Sequence, residues 1–353
     1  MLNYLRELST DSPHGVIAGQ FVSGPGWPNA YNLFVKGLYQ KTGQWPGLVG
    51  SDDFVQKPSK ALLPTPPVPT SAQIDALTRN FLDQWGAGGL VTFTWLIDNP
   101  WHRLGTGEFC KNVPSPCVPG ALADLTRDDN PAGRYFKAEM DSTAGILEKL
   151  QAAGMIVIFR PFPEQNGSWF WWGAQTEGSP TQAEFSALWR FTHHYFTETK
   201  KLKNLLWVFA PSSSEKGLKL FPTSYGVIQP APHYYPGDQY VDLTGLSYYD
   251  NKISLPTYPE MIALGKPFGL TEYGPLRPAS GKNFDFDAKI HKMLTLYPRI
   301  AFFMAWQDGA PTNYFALVSN AKPSTLMSDP LIITRERLDL KKRLAKDRSK
   351  PAP

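Results

Sequence analysis

Eight short apolar runs, continuous rather than alternating, punctuate the chain. They fall at 15–20 (GVIAGQ), 47–52 (GLVGSD), 89–95 (GLVTFTW), 155–161 (MIVIFRP), 205–211 (LLWVFAP), 243–249 (LTGLSYY), 267–273 (PFGLTEY) and 300–306 (IAFFMAW). An alternating strand has one wet face, whereas a continuous run is buried on both faces, as in a parallel sheet covered by helices. Amphipathic stretches lie between the runs at 72–85, 135–153, 182–199 and 286–297. Thr181 and Glu184 have capping-box spacing at the start of the third. The links after the first and fifth runs are less clearly helical. The proline-dense segment 56–70 must be an irregular connection. Eight strand–helix units without a composition break predict a single-domain α/β fold, a (β/α)8 TIM barrel over residues 1–330. An open doubly wound sheet would need a glycine-rich phosphate turn, and neither GxGxxG nor GxxxxGK[ST] occurs.

Charge is concentrated at one end. Residues 335–350 hold eight Lys/Arg against three acids, leaving 27 basic and 28 acidic residues elsewhere. Residues 331–353 are therefore read as a basic C-terminal helix and frayed tail, and the body lacks the basic surface that would bind nucleic acid. No run of about 18 apolar residues suggests a membrane span. The first residues contain no apolar signal-peptide core, which suits a cytosolic protein or a mature exported one. Cys110 and Cys117 enclose two prolines. Their spacing is too wide for CxxC redox chemistry, and no Cys/His pair completes a zinc site. A disulfide pinning a surface loop, which implies an oxidising compartment, is the expectation; two independent thiols are the alternative.

Catalytic groups of such a barrel lie at the C-terminal ends of its strands. The polar residues after the runs are Gln20, Asp52, Asp53, Asp98, Asn99, Arg160, Glu164, Tyr248, Asp250, Glu272, Tyr273, Gln307 and Asp308. Aromatic residues crowd the same loops, with Trp95 and Trp101 around IDNP, Trp169, Trp171 and Trp172 in NGSWFWWG, Tyr248 and Tyr249 in SYYD, and Trp306 before Gln307. A sugar ring needs this combination, because its C–H face stacks on an aromatic ring while its hydroxyls need polar partners. Glu164 and Glu272, on opposed strands across a sugar cleft, are the minimum apparatus for glycoside hydrolysis. One carboxyl must stay neutral to protonate the leaving oxygen, and the other must be ionised to attack.

The segment RPFPEQNGSWFWWG (160–173) resembles the acid/base signature of glycoside hydrolase family 26. GLTEYGP (269–275) resembles its nucleophile segment, and YYPGDQYVDLTGLSYYD (234–250) its sixth-strand block. The resemblance covers about residues 14–320. It implies a retaining endo-β-glycoside hydrolase, by family default an endo-β-1,4-mannanase, with Glu164 as acid/base and Glu272 as nucleophile. By the same resemblance Trp169 lines the cleft, Tyr248 orients the nucleophile and Trp306 is the stacking platform at the −1 subsite. Arg160 supports the nucleophile's charge, Asn166 the strand-4 loop, and Trp95 and Asp53 the cleft wall. Family members usually have His where this chain has Pro163 and Leu96, and often Met where it has Gln165. Losing such a polar contact costs about 1–3 kcal/mol when its partner hydroxyl is left unpaired. A different −1 sugar or linkage (β-1,3-xylan, mixed-linkage β-glucan or another glycan) is therefore the alternative, and a silent glycan-binding barrel a further one. The expected protein is a monomer, needs no metal or organic cofactor, and acts on a polysaccharide or oligosaccharide in a secreted or periplasmic setting.

Overall fold

The computed structural model describes residues 1–12, 15–22, 27–52, 70–102, 109–112, 115–175, 178–213, 228–276, 281–309 and 313–338. Its strands are β1 (Val16–Phe21), β2 (Leu48–Ser51), β3 (Leu90–Trp95), β4 (Val157–Pro161), β5 (Leu205–Phe209), β6 (Leu243–Tyr249), β7 (Phe268–Gly274), β8 (Ile300–Ala305) and β9 (Ile332–Ile333). Neighbours from β1 to β8 pair in parallel, and β8 also pairs with β1, so the sheet closes into the expected eight-stranded barrel. Each of the eight apolar runs holds one strand. The four amphipathic stretches become helices Ser71–Gly86, Pro131–Ala152, Gln182–His194 and Phe286–Leu296. The third continues as a π-helical turn, Tyr195–Thr199, and its Thr181–Glu184 capping box forms as its spacing requires. Residues 56–69 of the proline-dense connection lie outside the described residues.

Side-chain parity along each strand sorts the molecule into two apolar layers. Odd residues of β3, namely Val91, Phe93 and Trp95, pack outward with Phe159, Trp207 and the helices. Even residues of β3 and β4, with odd residues of β1 and β6, face the barrel interior. There Ile17, Leu90, Ile158, Val208 and Leu243 form a second cluster, joined by Tyr4, Leu5 and Leu8 from the N-terminal helix Leu2–Leu8. That helix packs into the interior cluster and contacts β8.

Two features depart from the expected pattern. Residues 332–334, near the start of the expected C-terminal helix, are extended. Ile332 and Ile333 pair with Val16 and Ile17 of β1, below the stretch that β2 occupies, and Thr334 bridges Pro46. A short helix, Arg335–Leu338, follows, and 339–353 lie outside the described residues. The second departure lies in β7, where Leu246 faces Leu270 but Ser247 faces Glu272. Thr271 is an inserted bulge residue, so Thr271 lines the barrel interior below Glu272 while Leu270 and Tyr273 pack outward.

Candidate active site

The bulge aims the Glu272 carboxylate into the barrel mouth, where two donors meet it. Arg160 of β4 donates from Nη2 to Oε1 at 2.6 Å, and the Tyr249 hydroxyl at the end of β6 donates to Oε2 at 2.8 Å. Arg160 is 2% exposed and Glu272 8%, so the pair is shielded from water. A buried cation is tolerable only when its remaining donors are satisfied. Its Nε–H accordingly donates to Thr94 Oγ1 at 2.9 Å, and Nη1 reaches the Thr271 carbonyl at 3.4 Å.

Glu164 sits three residues past the end of β4 in a different kind of environment. It and Phe162 hold left-handed backbone, with φ of 55° and 48°, on either side of Pro163. Non-glycine residues resist this region, so surrounding bonds must over-determine it. Here the Glu164 N–H donates to the Ala210 carbonyl beyond β5 at 2.7 Å, and Trp172 Nε1 donates to the Pro163 carbonyl at 2.9 Å. The Glu164 carboxyl accepts from Trp169 Nε1 at 2.7 Å. Gly167 makes that contact feasible, because a Cβ there would collide with the Trp169 ring. Burial first, then the charge of Glu272, pushes the Glu164 carboxyl up to about 7, against the opposite pulls of Ser247, Arg160 and Trp169.

The walls around the two acids are stitched from neighbouring loops. Asn166 donates from Nδ2 to the carbonyls of Ser212 and Gln229 and accepts from the Ser212 N–H, tying the strand-4 loop to those after β5. Cys110 and Cys117 form a disulfide, and the Cys110 N–H donates to the Trp169 carbonyl at 2.9 Å. Asn99 donates to the Cys117 carbonyl, so the bridged loop also anchors the end of β3. Half-buried Trp306 stacks one face on Phe21 at 3.9 Å. Gln20 holds the start of the strand-8 loop by donating to the Ala305 and Trp306 carbonyls.

Two expected site residues stand elsewhere. Tyr248 does not orient Glu272; its side chain packs outward, stacked with Tyr273, and its hydroxyl donates to the Lys252 carbonyl at 3.5 Å. Parity is the reason, since Ser247 and Tyr249 share the inward face of β6. Trp95 does not line the cleft: it is 2% exposed and packs on Phe136, Phe159, Phe162 and Phe196. Asp53 lies outside the described residues. Among the other strand-end polar residues, Asp308 accepts from the N–H groups of Phe315 and Ala316, and Asp98 accepts from Tyr135. These are structural bonds. Tyr249, expected only as one of the cleft aromatics, takes the role expected of Tyr248, and Thr94 was not among the expected site residues; the period-2 alternation that puts Arg160 and Ser247 inside marks both. Ligand atoms, one each from Asp287, His291 and Asp329, gather elsewhere, within 4.8 Å of one another, with His291 Nε2 2.8 Å from Asp329 Oδ2.

The family model for glycosyl hydrolase family 26 matches residues 1–337. The mannan endo-1,4-beta-mannosidase A and B of Caldalkalibacillus mannanilyticus is 31% identical over 345 residues, covering 96% of this chain. The chain spans 60% of that relative's length. A mannan endo-1,4-beta-mannosidase of Bacillus subtilis strain 168 is 27% identical over 312 residues, 87% of this chain and 78% of its own. Among solved structures, the Bacillus subtilis mannanase BCman superposes with a TM-score of 0.75 at 24% identity, over 94% of this chain and 90% of that one.

Proposed function

The chain belongs to glycosyl hydrolase family 26 and is a glycoside hydrolase, and from that premise we propose a retaining endo-β-1,4-mannanase with Glu272 as nucleophile and Glu164 as acid/base. The asymmetry of the two buried carboxyls carries this reading. Arg160 donates to one oxygen of Glu272 and Tyr249 to the other, so the carboxylate is held in place in the mouth. Glu164, with one indole donor and a value pushed up to about 7, keeps a proton to give at mildly acidic pH. Glu272 attacks the anomeric carbon while Glu164 protonates the departing glycosidic oxygen. The covalent glycosyl-enzyme is then hydrolysed by water that Glu164, now a base, deprotonates. Trp306 offers an aromatic face to the −1 sugar, and Trp169 keeps the Glu164 carboxyl in line.

Mannan as substrate is supported by the relatives bearing that activity in their names. A second reading keeps the catalytic pair and changes the sugar. It is favoured by Pro163, which offers only its carbonyl, already bonded to Trp172, and by Leu96, which packs against the core. Secretion is supported by the disulfide, which persists in oxidising compartments. Among the described residues no helix is long and apolar enough to cross a membrane.

The test is reducing-sugar release from mannan, glucomannan, β-1,3-xylan and mixed-linkage β-glucan, with Glu272→Ala run beside the wild type. Release from mannan that vanishes in the variant supports the first reading. Release from another glycan alone supports the second. Glycan binding that survives the substitution, with no release from any polymer, would mean a silent barrel.

A further inference from the structure

We infer that Thr94 is a positioning residue that sets the direction in which Arg160 meets Glu272; the inference rests on Glu272 being the nucleophile. Thr94 and Arg160 are register partners on β3 and β4, and both are buried. The Arg160 Nε–H has Thr94 Oγ1 as its acceptor at 2.9 Å, and Nη2 reaches Glu272 at 2.6 Å. A guanidinium is a rigid planar fork, so fixing the direction of its Nε–H fixes where Nη2 points. Packing alone does not hold that plane. The interior next to Arg160 is a small cavity, walled by Phe21, Ile158, Val208, Phe302 and Met304 and edged by Thr94 and Thr271. The apolar walls offer the guanidinium no acceptor, and the polar side chains at this cavity are Thr92, Thr94 and Thr271. The weaker bond at Nη1, 3.4 Å to the Thr271 carbonyl, permits tilting. Thr94 is thus the polar stop that keeps the fork on the nucleophile. One step lower on the strand Thr92 is spent differently, donating to the Ile158 carbonyl.

Thr94→Val retains the shape of the side chain and removes the acceptor. On the polysaccharide the wild type degrades, its kcat/KM falls roughly ten- to hundredfold. Inhibition by a product-length oligosaccharide of the same polymer stays unchanged, because the lost interaction serves bond breaking and not sugar binding. Thr94→Ser, which restores the hydroxyl, recovers the rate. Wild-type kcat/KM in Thr94→Val, or a loss that Thr94→Ser does not recover, overturns the inference. A readout independent of turnover is the Arg160 Nε–H resonance, assigned by its disappearance in Arg160→Lys. It is protected from exchange in the wild type and in Thr94→Ser, and is lost in Thr94→Val; persistence in Thr94→Val also overturns the inference. Should Thr94→Val fail to fold, Thr94→Ala carries the same measurements. Glu272→Ala, assayed alongside, separates the two failures. Activity retained in Glu272→Ala sinks the nucleophile reading, while the arginine resonance still decides whether Thr94 holds Arg160.

Discussion

Glu164 and Glu272 are the same side chain, buried to the same extent in one barrel mouth, yet their settings differ in every other respect. Glu272 lies on a strand, aimed by a bulge and met by a guanidinium and a phenol. Glu164 lies on a left-handed turn and is met by a neutral indole. A carboxyl's role in such a pair follows from which of its protonation states the surroundings favour. The strand end meets its carboxyl with a cation and a hydroxyl donor, and the turn favours the acid.

Removing the two groups in turn is the strongest way to break this contrast. Glu272→Ala lowers kcat by about a thousandfold or more. Azide added to Glu164→Ala rescues turnover of an activated aryl glycoside and yields a glycosyl azide of retained configuration. Added to Glu272→Ala it yields the inverted azide. Product stereochemistry read by NMR assigns the roles, and swapped products would reverse them.

The next contrast separates neighbours on β6. Tyr249→Phe removes the donor to Glu272 and lowers kcat/KM roughly tenfold or more, whereas Tyr248→Phe leaves it within about twofold. Equal losses in steady-state assays would undo the inward and outward assignment.

Proton occupancy gives a subtler test. The raised Glu164 value means the folded state binds this proton more tightly than the unfolded chain does between about 4.5 and about 7. Its share of stability is therefore full below that window and falls as pH rises through it. Glu164→Gln has no such dependence and gains thermal stability over the wild type as pH goes from 5 to 8. The basic limb of the wild-type rate profile lies near 7, and Trp169→Phe moves it upward by removing a bond that favours the anion. A limb that stays in place in Trp169→Phe would detach the indole from the acid.

The smallest effect comes from the bridged loop behind Trp169. Cys110→Ser with Cys117→Ser lowers stability by about 2–3 kcal/mol in chemical denaturation, through the freed unfolded chain. Activity falls only as far as the Trp169 carbonyl loses its Cys110 partner.

Most of the barrel is legible from residue pattern because strands buried on both faces are written as unbroken apolar runs, and the helices between them keep their period. The two acids are legible for the same reason, standing where such runs end. Tyr248 and Trp95 went astray because a run apolar on both faces hides its parity; counting alternate positions from Arg160 on β4, or from Ser247 on β6, recovers it. The β7 bulge leaves no such trace, since an inserted Thr271 looks like any strand residue. Likewise Ile332–Ile333 is too short to read as a strand, and only its partner β1 identifies it.

That last pairing has a consequence for how the protein is made. β1 leaves the ribosome well before its neighbours β8 and β9, whose paired residues follow 285 and 316 positions later. While the intervening chain is synthesised, β1 has β2 on one side and a bare apolar edge on the other. Such non-local closure is slow and exposes an edge prone to wrong partners. The step that seals the barrel therefore waits until β8 has left the ribosome, and nascent chains stalled before residue 300 should need chaperone cover that chains extended past β9 do not.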